Sequence, residues 1–492
     1  MSAPLVTIEV HRSKGFPGLS IVGLPETEVR ESRYRIRSAF LNMGFEFPRS
    51  RLTINLAPAD LPKEGSRFDL PIALGVLAAS SQLPIDRLME YEFVGELALS
   101  GELRPVQGIL PMVMSVHQAG RSLILPQANA SEAGLVRQAK VFFAGHLLEV
   151  CEYLQNKRDL PVCSPMEKPQ ETEPMLDLSD VYGQPHARRA LEVAAAGRHS
   201  LIVAGPPGTG KTMLASRLPG ILPDLTEQEA VEVAAIASVS KEGFDMVRWQ
   251  SVPFRAPHHS SSAVALVGGG RPLHPGEISL AHHGVLFLDE LPEFSRHALE
   301  SLREPLEAGK ITVSRAAARA IFPAQFHFVA AMNPCPCGYV GSPYHDCRCT
   351  SEQIQRYLAK LSGPLLDRID IQITVSALPP GTLPLVPERE ESSRQVKTRV
   401  IAARQQQLAR QGKLNHQLTP GDLQKFCKLD NQSRQLLTEI VQKFNLSMRA
   451  YHRILKVART IADLMEDESI FTHHLGEALT YRCLDRLKNT QY

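Results

Sequence analysis

The sequence predicts an α/β protein with three parts: an N-terminal α/β domain, a second α/β domain that forms the core, and a C-terminal helical region. The first observation is a glycine-rich stretch at 205–212, which an apolar run enters and a helical pattern leaves. The second is the mixture of strand-like alternation and helical periodicity in the first third of the chain. The third is the long helical periodicity near the C-terminus.

Composition bounds the class of protein. At 492 residues, 43% hydrophobic and 22% charged, the chain is expected to hold about three globular domains. No apolar run reaches ~18 residues and the start lacks a secretion signal, so we expect a cytoplasmic protein without membrane spans. The net charge of +2 neither requires nor excludes nucleic acid as a partner, and any surface that binds it must come from local clusters of charge. Eight cysteines without a signal indicate reduced thiols or a metal.

Domain boundaries follow from shifts in composition. We expect the N-terminal domain at 1–158, a polar, proline-rich linker at 159–175, the core at 176–376 and the lid at 377–492. Strands are expected at 6–10, 19–22 and 51–56, and helices at 26–42, 70–80, 389–411 and 448–465.

The stretch 205–212, here called the phosphate loop, is the most specific motif of the chain. Its glycines let successive backbone N–H groups turn toward a phosphate, and the following helix adds the positive end of its dipole. Lys211 is expected along the β- and γ-phosphates, with the Thr212 hydroxyl on Mg²⁺. The alternative is a glycine-rich turn without a ligand. The residues expected to bind ATP are Gly205, Pro206, Pro207, Gly208, Thr209, Gly210, Lys211 and Thr212.

A second apolar strand ends in two acids, Asp289 and Glu290. Ligands bind at the carboxyl ends of buried parallel strands. Asp289 is therefore expected to hold Mg²⁺, and Glu290 to orient and polarise the attacking water. The alternative is a strand that merely ends in a solvated acidic turn.

Three further polar residues suit the same site. Asn333 ends the apolar run 326–332, which puts its amide beside the γ-phosphate and the attacking water. Arg368 lies on a short turn and suits insertion into a neighbouring subunit's site, where such an arginine contributes roughly 10³–10⁵ in rate. The alternative is a local ion pair with Asp367 or Asp370. Arg449 opens a long helix and is expected to reach toward the γ-phosphate.

The order of these parts resembles the AAA+ ATPases, and specifically the magnesium-chelatase-like ComM/YifB family. The resemblance covers almost the whole chain. It is carried by Val181-Tyr182-Gly183-Gln184, by the phosphate loop, and by the segments 256–262, 268–272, 275–284, 333–338, 361–368 and 458–464.

The resemblance implies a hexameric ATPase that uses ATP and Mg²⁺ and acts as a DNA branch-migration helicase in natural transformation. It implies that Asn333 is the first sensor, Arg368 the arginine finger and Arg449 the second sensor, and that Tyr182 contacts the nucleotide. The resemblance also implies another strand's worth of residues before the segment 3–5. We therefore expect this chain to be a truncated or re-annotated form.

The segments 61–65, 95–101 and 117–120 match segments of the proteolytic domain of Lon. Through them, residues 51–126 resemble that domain, whose fold is that of ribosomal protein S5 domain 2. The position of the catalytic serine falls at Arg67 or Asp69, with Ser66 slightly displaced, and the position of the lysine falls at Leu110. A Ser–Lys dyad needs both groups within hydrogen-bond reach, and no lysine lies between Lys63 and Lys140. We therefore predict a proteolytically inactive scaffold used for assembly or DNA contact.

Two inserts of the core are candidates for DNA contact. The first, 258–283, is glycine-rich and carries Arg271 and His274. The second, 311–322, alternates like a hairpin with Arg315 and Arg319 near its tip, where arginines can grip phosphates without reading sequence. The alternative is a solvated hairpin with ordinary arginines. The basic helix that carries the residues 394, 397, 399, 404 and 410 is interpreted as a solvated face of the lid.

Four cysteines lie close together between Asn333 and Arg368. They are Cys335, Cys337, Cys347 and Cys349, which suit a closed tetrahedral Zn²⁺ site. The alternative is a set of free thiols in a loop rich in proline and glycine. The other four cysteines are scattered and are expected to be isolated.

Two rival functions remain at this point. A chelatase-type motor that remodels a metal-inserting enzyme would use the same ATP-binding residues, although such motors lack the Lon-like domain. A nucleotide-dependent scaffold that recruits partners without translocating is the other, and a complete catalytic set argues against it.

Overall fold

The computed structural model describes residues 3–164, 176–270, 273–315, 318–377, 390–443 and 447–483. The chain divides into two compact units, which we describe separately. The N-terminal unit comprises Met1–Gln170 with Glu227–Trp249, and the C-terminal unit comprises Glu171–Thr226 with Gln250–Tyr492. Residues 378–389, at the proline-rich start of the predicted lid, and residues 165–175 of the predicted linker lie outside the described residues.

The strands in chain order are β1 (Thr7–Ser13), β2 (Gly18–Val22), β3 (Arg51–Ala57), β4 (Tyr91–Phe93), β5 (Glu96–Leu97), β6 (Leu103–Arg104), β7 (Ser122–Pro126), β8 (Lys140–Ala144), β9 (Leu201–Ala204), β10 (Phe254–Arg255), β11 (Gly268–Gly269), β12 (His274–Pro275), β13 (Val285–Leu288), β14 (Lys310–Arg315), β15 (Ala318–Pro323), β16 (His327–Met332) and β17 (Ile371–Thr374).

The helices are α1 (Thr27–Met43), α2 (Asp69–Ala79), α3 (Ile109–Gln118), α4 (Ala130–Ala133), α5 (Leu147–Leu154), α6 (Pro185–Gly197), α7 (Lys211–Ser216), α8 (Leu218–Ile221), α9 (Glu227–Ser238), α10 (Ala263–Val267), α11 (Glu277–Leu280), α12 (Arg296–Ser301), α13 (Arg303–Ala308), α14 (Ser351–Leu358), α15 (Gly363–Leu366), α16 (Ser393–Gln411), α17 (Pro420–Phe426), α18 (Asn431–Lys443), α19 (Met448–Leu464) and α20 (Thr472–Thr480).

The N-terminal unit contains two three-stranded sheets. In one, β3 pairs antiparallel with β1 and parallel with β2; in the other, β7 lies between β4 and β8. Alternate residues of β3, Leu52, Ile54 and Leu56, are fully buried and fix which face of the first sheet packs on the core. Helix α9 also belongs to this unit, where it packs on α3 and where the Gly108 N–H donates to the Ser238 carbonyl at 3.0 Å.

The C-terminal unit is built on one five-stranded parallel sheet, in the order β10-β13-β16-β9-β17. The three central strands are buried along their whole length, as parallel strands covered on both faces should be. Their carboxyl ends lead into the phosphate loop, Asp289 and Asn333. The sheet therefore brings the predicted nucleotide-binding residues to one edge.

Helices cover this sheet and form the C-terminal helical region. Helix α6 packs against both α16 and α19, and α19 packs against α20. Helix α16 ends at Gly412, whose φ of 69° suits a glycine C-cap. The predicted fold class, α/β with a parallel sheet and a helical C-terminal region, is confirmed. None of the helices in the described ranges combines the length and apolar character that crossing a lipid bilayer requires.

Candidate nucleotide-binding site

The phosphate loop lies between the end of β9 and the start of α7. Gly208 and Gly210 adopt φ values of 77° and 80°, the left-handed region that favours glycine. Gly205 is needed for a different reason, because a Cβ there would lie 2.5 Å from the Val375 carbonyl oxygen. The motif therefore has the strand–loop–helix setting that the sequence predicts.

Lys211 is held at the mouth of this loop. Its Nζ donates to the carbonyls of Gly205 and Pro206 at 2.7 and 2.8 Å, and to Oδ1 of Asn333 at 3.2 Å. Burial lowers the pKa of Lys211, and the carboxylates of Asp289 and Glu290 act in the opposite direction. The Lys211 ammonium group thus interacts with two carboxylates and with the Asn333 amide, a position that suits contact with a bound phosphate.

Thr212 and Asp289 meet directly across the edge of the sheet. Oγ1 of Thr212 donates to Oδ2 of Asp289 at 2.6 Å, and Oδ1 of Asp289 accepts from the Glu290 N–H at 2.8 Å. A hydroxyl and a carboxylate are the oxygen ligands that Mg²⁺ prefers. The residues present therefore fit a magnesium–nucleotide site.

Glu290 has an unusual backbone and a partner that sequence reasoning missed. Its φ is 52°, and its Oε2 lies 3.1 Å from Nδ1 of His259. The rings of His258 and His259 lie 4.0 Å apart between centroids. The sequence places His259 both in the segment 256–262 and in the glycine-rich insert 258–283, and neither pattern indicates Glu290 as its partner.

Arg368 is buried, with only 8% exposure. Its Nη1 donates to the Pro364 carbonyl at 2.7 Å, and its Nη2 lies 2.5 Å from Oε1 of Glu307. The alternative partner Asp370 pairs instead with Arg453. Nε of Arg368 has no hydrogen-bond partner among the described residues. The arginine is therefore held by an exposed glutamate, and its role toward a neighbouring subunit stays a prediction.

Arg449 and Tyr182 are accessible. Arg449 is exposed on the first turn of α19, and Tyr182 is 38% exposed. Their roles toward the nucleotide also stay predictions.

The predicted arginine hairpin is formed by β14 and β15. Arg315 is opposite Ala318 and Arg319 is opposite Ser314 in an antiparallel register. The side chains of both arginines, and the whole of Arg271, lie outside what the structure describes. His274 begins β12, opposite Gly269.

The basic helix α16 differs from the solvated face that we expected. Three of its five cations face acidic groups of the same unit and a fourth faces a backbone carbonyl, whereas Arg394 is exposed. Arg399 lies 2.6 Å from Glu192, Lys397 lies 2.8 Å from Asp224, Arg410 lies 2.5 Å from Asp463, and Arg404 donates to the Ala195 carbonyl at 2.7 Å.

The four clustered cysteines converge on one point. The Sγ atoms of Cys335, Cys337 and Cys347 lie 3.4–3.7 Å from one another, and the Cys337 N–H donates to Sγ of Cys349 at 3.4 Å. Zn–S bonds of about 2.3 Å give S–S edges of about 3.8 Å in a tetrahedron. Backbone donors, above all the N–H of Tyr339, lower the pKa of Cys337 to about 6. Against the opposing Cys349 N–H, burial and hydrogen bonds with Cys337 and Cys335 raise the pKa of Cys347 to about 12, and the pKa of Cys349 is also raised. Without a metal, the cluster therefore favours one thiolate, at Cys337. The cluster has the geometry of a metal site.

In the N-terminal unit, the residues at or near the positions expected for the catalytic serine and lysine of Lon make structural contacts. Asp69 is fully buried in an ion pair with Arg35 at 2.7 Å, and Leu110 is fully buried in the core. Ser66 donates to Glu96, whereas the buried Lys63 donates to the Pro58 carbonyl.

The parallel sheet with its phosphate loop and acidic strand end defines a P-loop protein of the AAA+ class. The family model for magnesium chelatase, subunit ChlI, matches residues 177–383; the model for subunit ChlI of Mg-chelatase matches 8–129, and the C-terminal model of the same subunit matches 390–482. The competence protein ComM of Haemophilus influenzae is 51% identical over 491 residues, which cover 99% of this chain and 96% of that protein. The YifB protein of Escherichia coli is 51% identical over 492 residues, with the same coverage.

The chain therefore belongs to the ComM/YifB family of magnesium-chelatase-like AAA+ proteins. A Lon protease of Syntrophomonas wolfei is 25% identical over 161 residues, which cover 30% of this chain and 20% of that protein. This likeness agrees with the Lon-like character predicted for the N-terminal domain. The AAA+ family implies ATP and Mg²⁺ as ligands of the site.

Proposed function

We propose that this protein is an ATP-driven motor on DNA, a hexameric helicase that promotes branch migration of recombination intermediates during natural transformation. The observation that carries the proposal is the convergence of Lys211, Thr212, Asp289, Glu290 and Asn333 at one edge of the parallel sheet. The name of the relative in Haemophilus influenzae, a competence protein, supports the choice of DNA as the substrate.

Each residue of the site has its own role in ATP hydrolysis. Lys211 binds phosphate oxygens, and Thr212 and Asp289 would hold Mg²⁺, which neutralises phosphate charge when bound. Glu290 orients and polarises the attacking water, and Asn333 fixes the position of Lys211 and of that water. Asp289, Glu290 and Asn333 follow the carboxyl ends of parallel strands, and Lys211 and Thr212 begin the helix that follows the phosphate loop.

The site is completed by a neighbouring subunit in this proposal. Arg368 reaches the γ-phosphate bound to the next subunit, and Arg449 senses the nucleotide from the lid. Because Arg368 pairs with Glu307 in the single chain, ring assembly exchanges that carboxylate for a phosphate.

DNA contact is assigned to the arginine hairpin and to the glycine-rich insert with Arg271 and His274. Six copies in a ring would multiply a modest charge without reading sequence. The N-terminal unit acts as a proteolytically inactive scaffold, the protein works in the cytoplasm, and the four cysteines bind one structural Zn²⁺.

Two alternatives keep the same nucleotide site. A chelatase-type motor would act on a metal-inserting enzyme, in keeping with the family models that match the chain. A nucleotide-dependent scaffold would bind ATP without translocating.

Phosphate release with and without DNA tests the proposal. The wild-type protein should hydrolyse ATP faster with branched DNA, and Lys211→Ala should abolish nucleotide binding and hydrolysis. Lys428→Ala, at an exposed lysine of the same unit, serves as the matched control. Hydrolysis that ignores DNA would favour the chelatase-type alternative, and binding without hydrolysis would favour the scaffold.

A further inference from the structure

The cysteine cluster touches the phosphate loop through one glycine. Gly338 adopts φ 87°, and a Cβ at this position would lie 2.6 Å from Cδ and 2.8 Å from Cγ of Pro207. The backbone of Gly338 therefore packs directly on the proline ring of the loop. Its N–H donates to the Cys335 carbonyl at 3.0 Å, so the turn that contacts the loop begins at a cysteine of the cluster.

The cluster is also connected to Asn333. Cys335 follows Asn333 by two residues and is fully buried. A second connection comes from Cys349, because helix α14 begins two residues later and is capped by Thr350, whose Oγ1 accepts from the Gln353 N–H at 3.2 Å. The buried Tyr357 of this helix interacts with the backbone of Asn333.

These contacts connect the cluster with the two groups that hold Lys211. One is the carbonyl side of the phosphate loop, which Gly338 supports through Pro207, and the other is the amide of Asn333. The cysteines come from two separate segments, 335–337 and 347–349. A metal bound by all four would cross-link these segments and fix the turn between them.

We propose that a metal ion in the four-cysteine site holds the phosphate loop in its nucleotide-binding geometry through the contact between Gly338 and Pro207. The metal thus governs nucleotide affinity as well as local stability. This inference rests on the proposed nucleotide site and the proposed zinc site, and it is independent of any action on DNA.

The direct test is the affinity of the full-length, zinc-loaded protein for a fluorescent ATP analogue with Mg²⁺. Gly338→Ala drives a Cβ into Pro207 and should weaken binding about tenfold, since overpacking at a close contact displaces the neighbouring backbone. The zinc content should stay at one ion per chain. Gly341→Ala is the matched control, because Gly341 has a similar φ of 73° but no atom within 4 Å of its Cβ position.

Removal of the metal gives a second, independent measurement. A zinc-selective chelator, followed by resupply of Mg²⁺, should lower the nucleotide affinity of protein that remains folded by circular dichroism, and added Zn²⁺ should restore it. Zinc-loaded Gly338→Ala with wild-type affinity would overturn the inference, as would folded, zinc-free protein with unchanged affinity. A failure to process DNA would leave these results unaffected.

Discussion

The hydroxyl of Thr212 donates a hydrogen bond of 2.6 Å to the carboxylate of Asp289. The first residue lies at the start of α7 and the second at the end of β13, so two elements bring their oxygens to one point. A magnesium ion bound with the nucleotide would take both oxygens as ligands, directly or through water. The hydrogen bond therefore marks the position that the metal is expected to occupy.

Thr212→Val should remove this ligand while keeping the shape of the side chain. We expect nucleotide affinity in the presence of Mg²⁺ to fall at least about tenfold, whereas affinity measured without Mg²⁺ changes little. Titration of a fluorescent ATP analogue with and without Mg²⁺ checks this. Ser216→Ala, in the same helix, is the control and should bind like the wild type. Equal losses with and without Mg²⁺ would argue against a metal-ligand role.

Much of this site could be predicted from the sequence. Asp289 and Asn333 directly follow short apolar strands and needed only the rule that parallel strands end at one edge. Lys211 was predictable because it belongs to the glycine-rich motif that follows such a strand. The partners of Glu290 and Arg368, which are His259 and Glu307, could not be predicted. They come from segments far apart in the sequence, and only packing decides which charges meet.

The same limit applies to larger elements. Helix α9 follows the phosphate-loop region in sequence, yet it packs in the N-terminal unit. Its composition carries no signal for that choice. The hairpin of β14 and β15 was predictable, because alternation and an antiparallel register depend on neighbouring residues.

Arg315→Ala combined with Arg319→Ala should weaken DNA binding and flatten its salt dependence. Each lost phosphate contact means that fewer counterions are released when the protein binds DNA. The slope of log affinity against log salt should therefore fall by about one per arginine. Fluorescence anisotropy at several salt concentrations measures this. Arg356→Ala, at a side chain that is 79% exposed in the same unit, should leave the slope unchanged. Unaltered affinity of the double variant at two salt concentrations would refute the assignment.

Asp370→Asn should destabilise the C-terminal unit. Asp370 is buried between Arg453 and His199, whose Nδ1 lies 3.3 Å from its Oδ2. Removing one partner of such a buried pair costs about 3–5 kcal/mol of unfolding free energy. Thermal unfolding followed by circular dichroism should show the loss, and Asp367→Asn on the same turn should not.

The pH dependence of this effect has a definite sign. Burial opposes ionisation of Asp370, but Arg453 and His199 outweigh it and hold the pKa of this carboxyl well below its usual range. The stabilisation is therefore complete above about pH 4, the unfolded-state pKa of an aspartate, and is lost as the pH falls below that value. Equal destabilisation of the variant at pH 7 and at low pH would contradict this explanation.

The N-terminal unit should have no protease activity. Its expected serine and lysine positions are occupied by Asp69 in an ion pair and by Leu110 in the core. Casein incubated with the protein and ATP should stay intact, and Ser66→Ala should behave like the wild type. Cleavage that Ser66→Ala abolishes would show an active site that the residue types do not indicate.

The most direct measurement of the central proposal is the processing of a synthetic four-way DNA junction with homologous arms. Wild-type protein with ATP should convert the junction to branch-migrated duplexes. Glu290→Gln should bind the junction but leave it unprocessed, because the attacking water is no longer polarised. Glu293→Gln, three residues further on, is the control and should act like the wild type. Wild-type protein that hydrolyses ATP but leaves the junction intact, or a Glu290→Gln variant that processes it at the wild-type rate, would contradict the account.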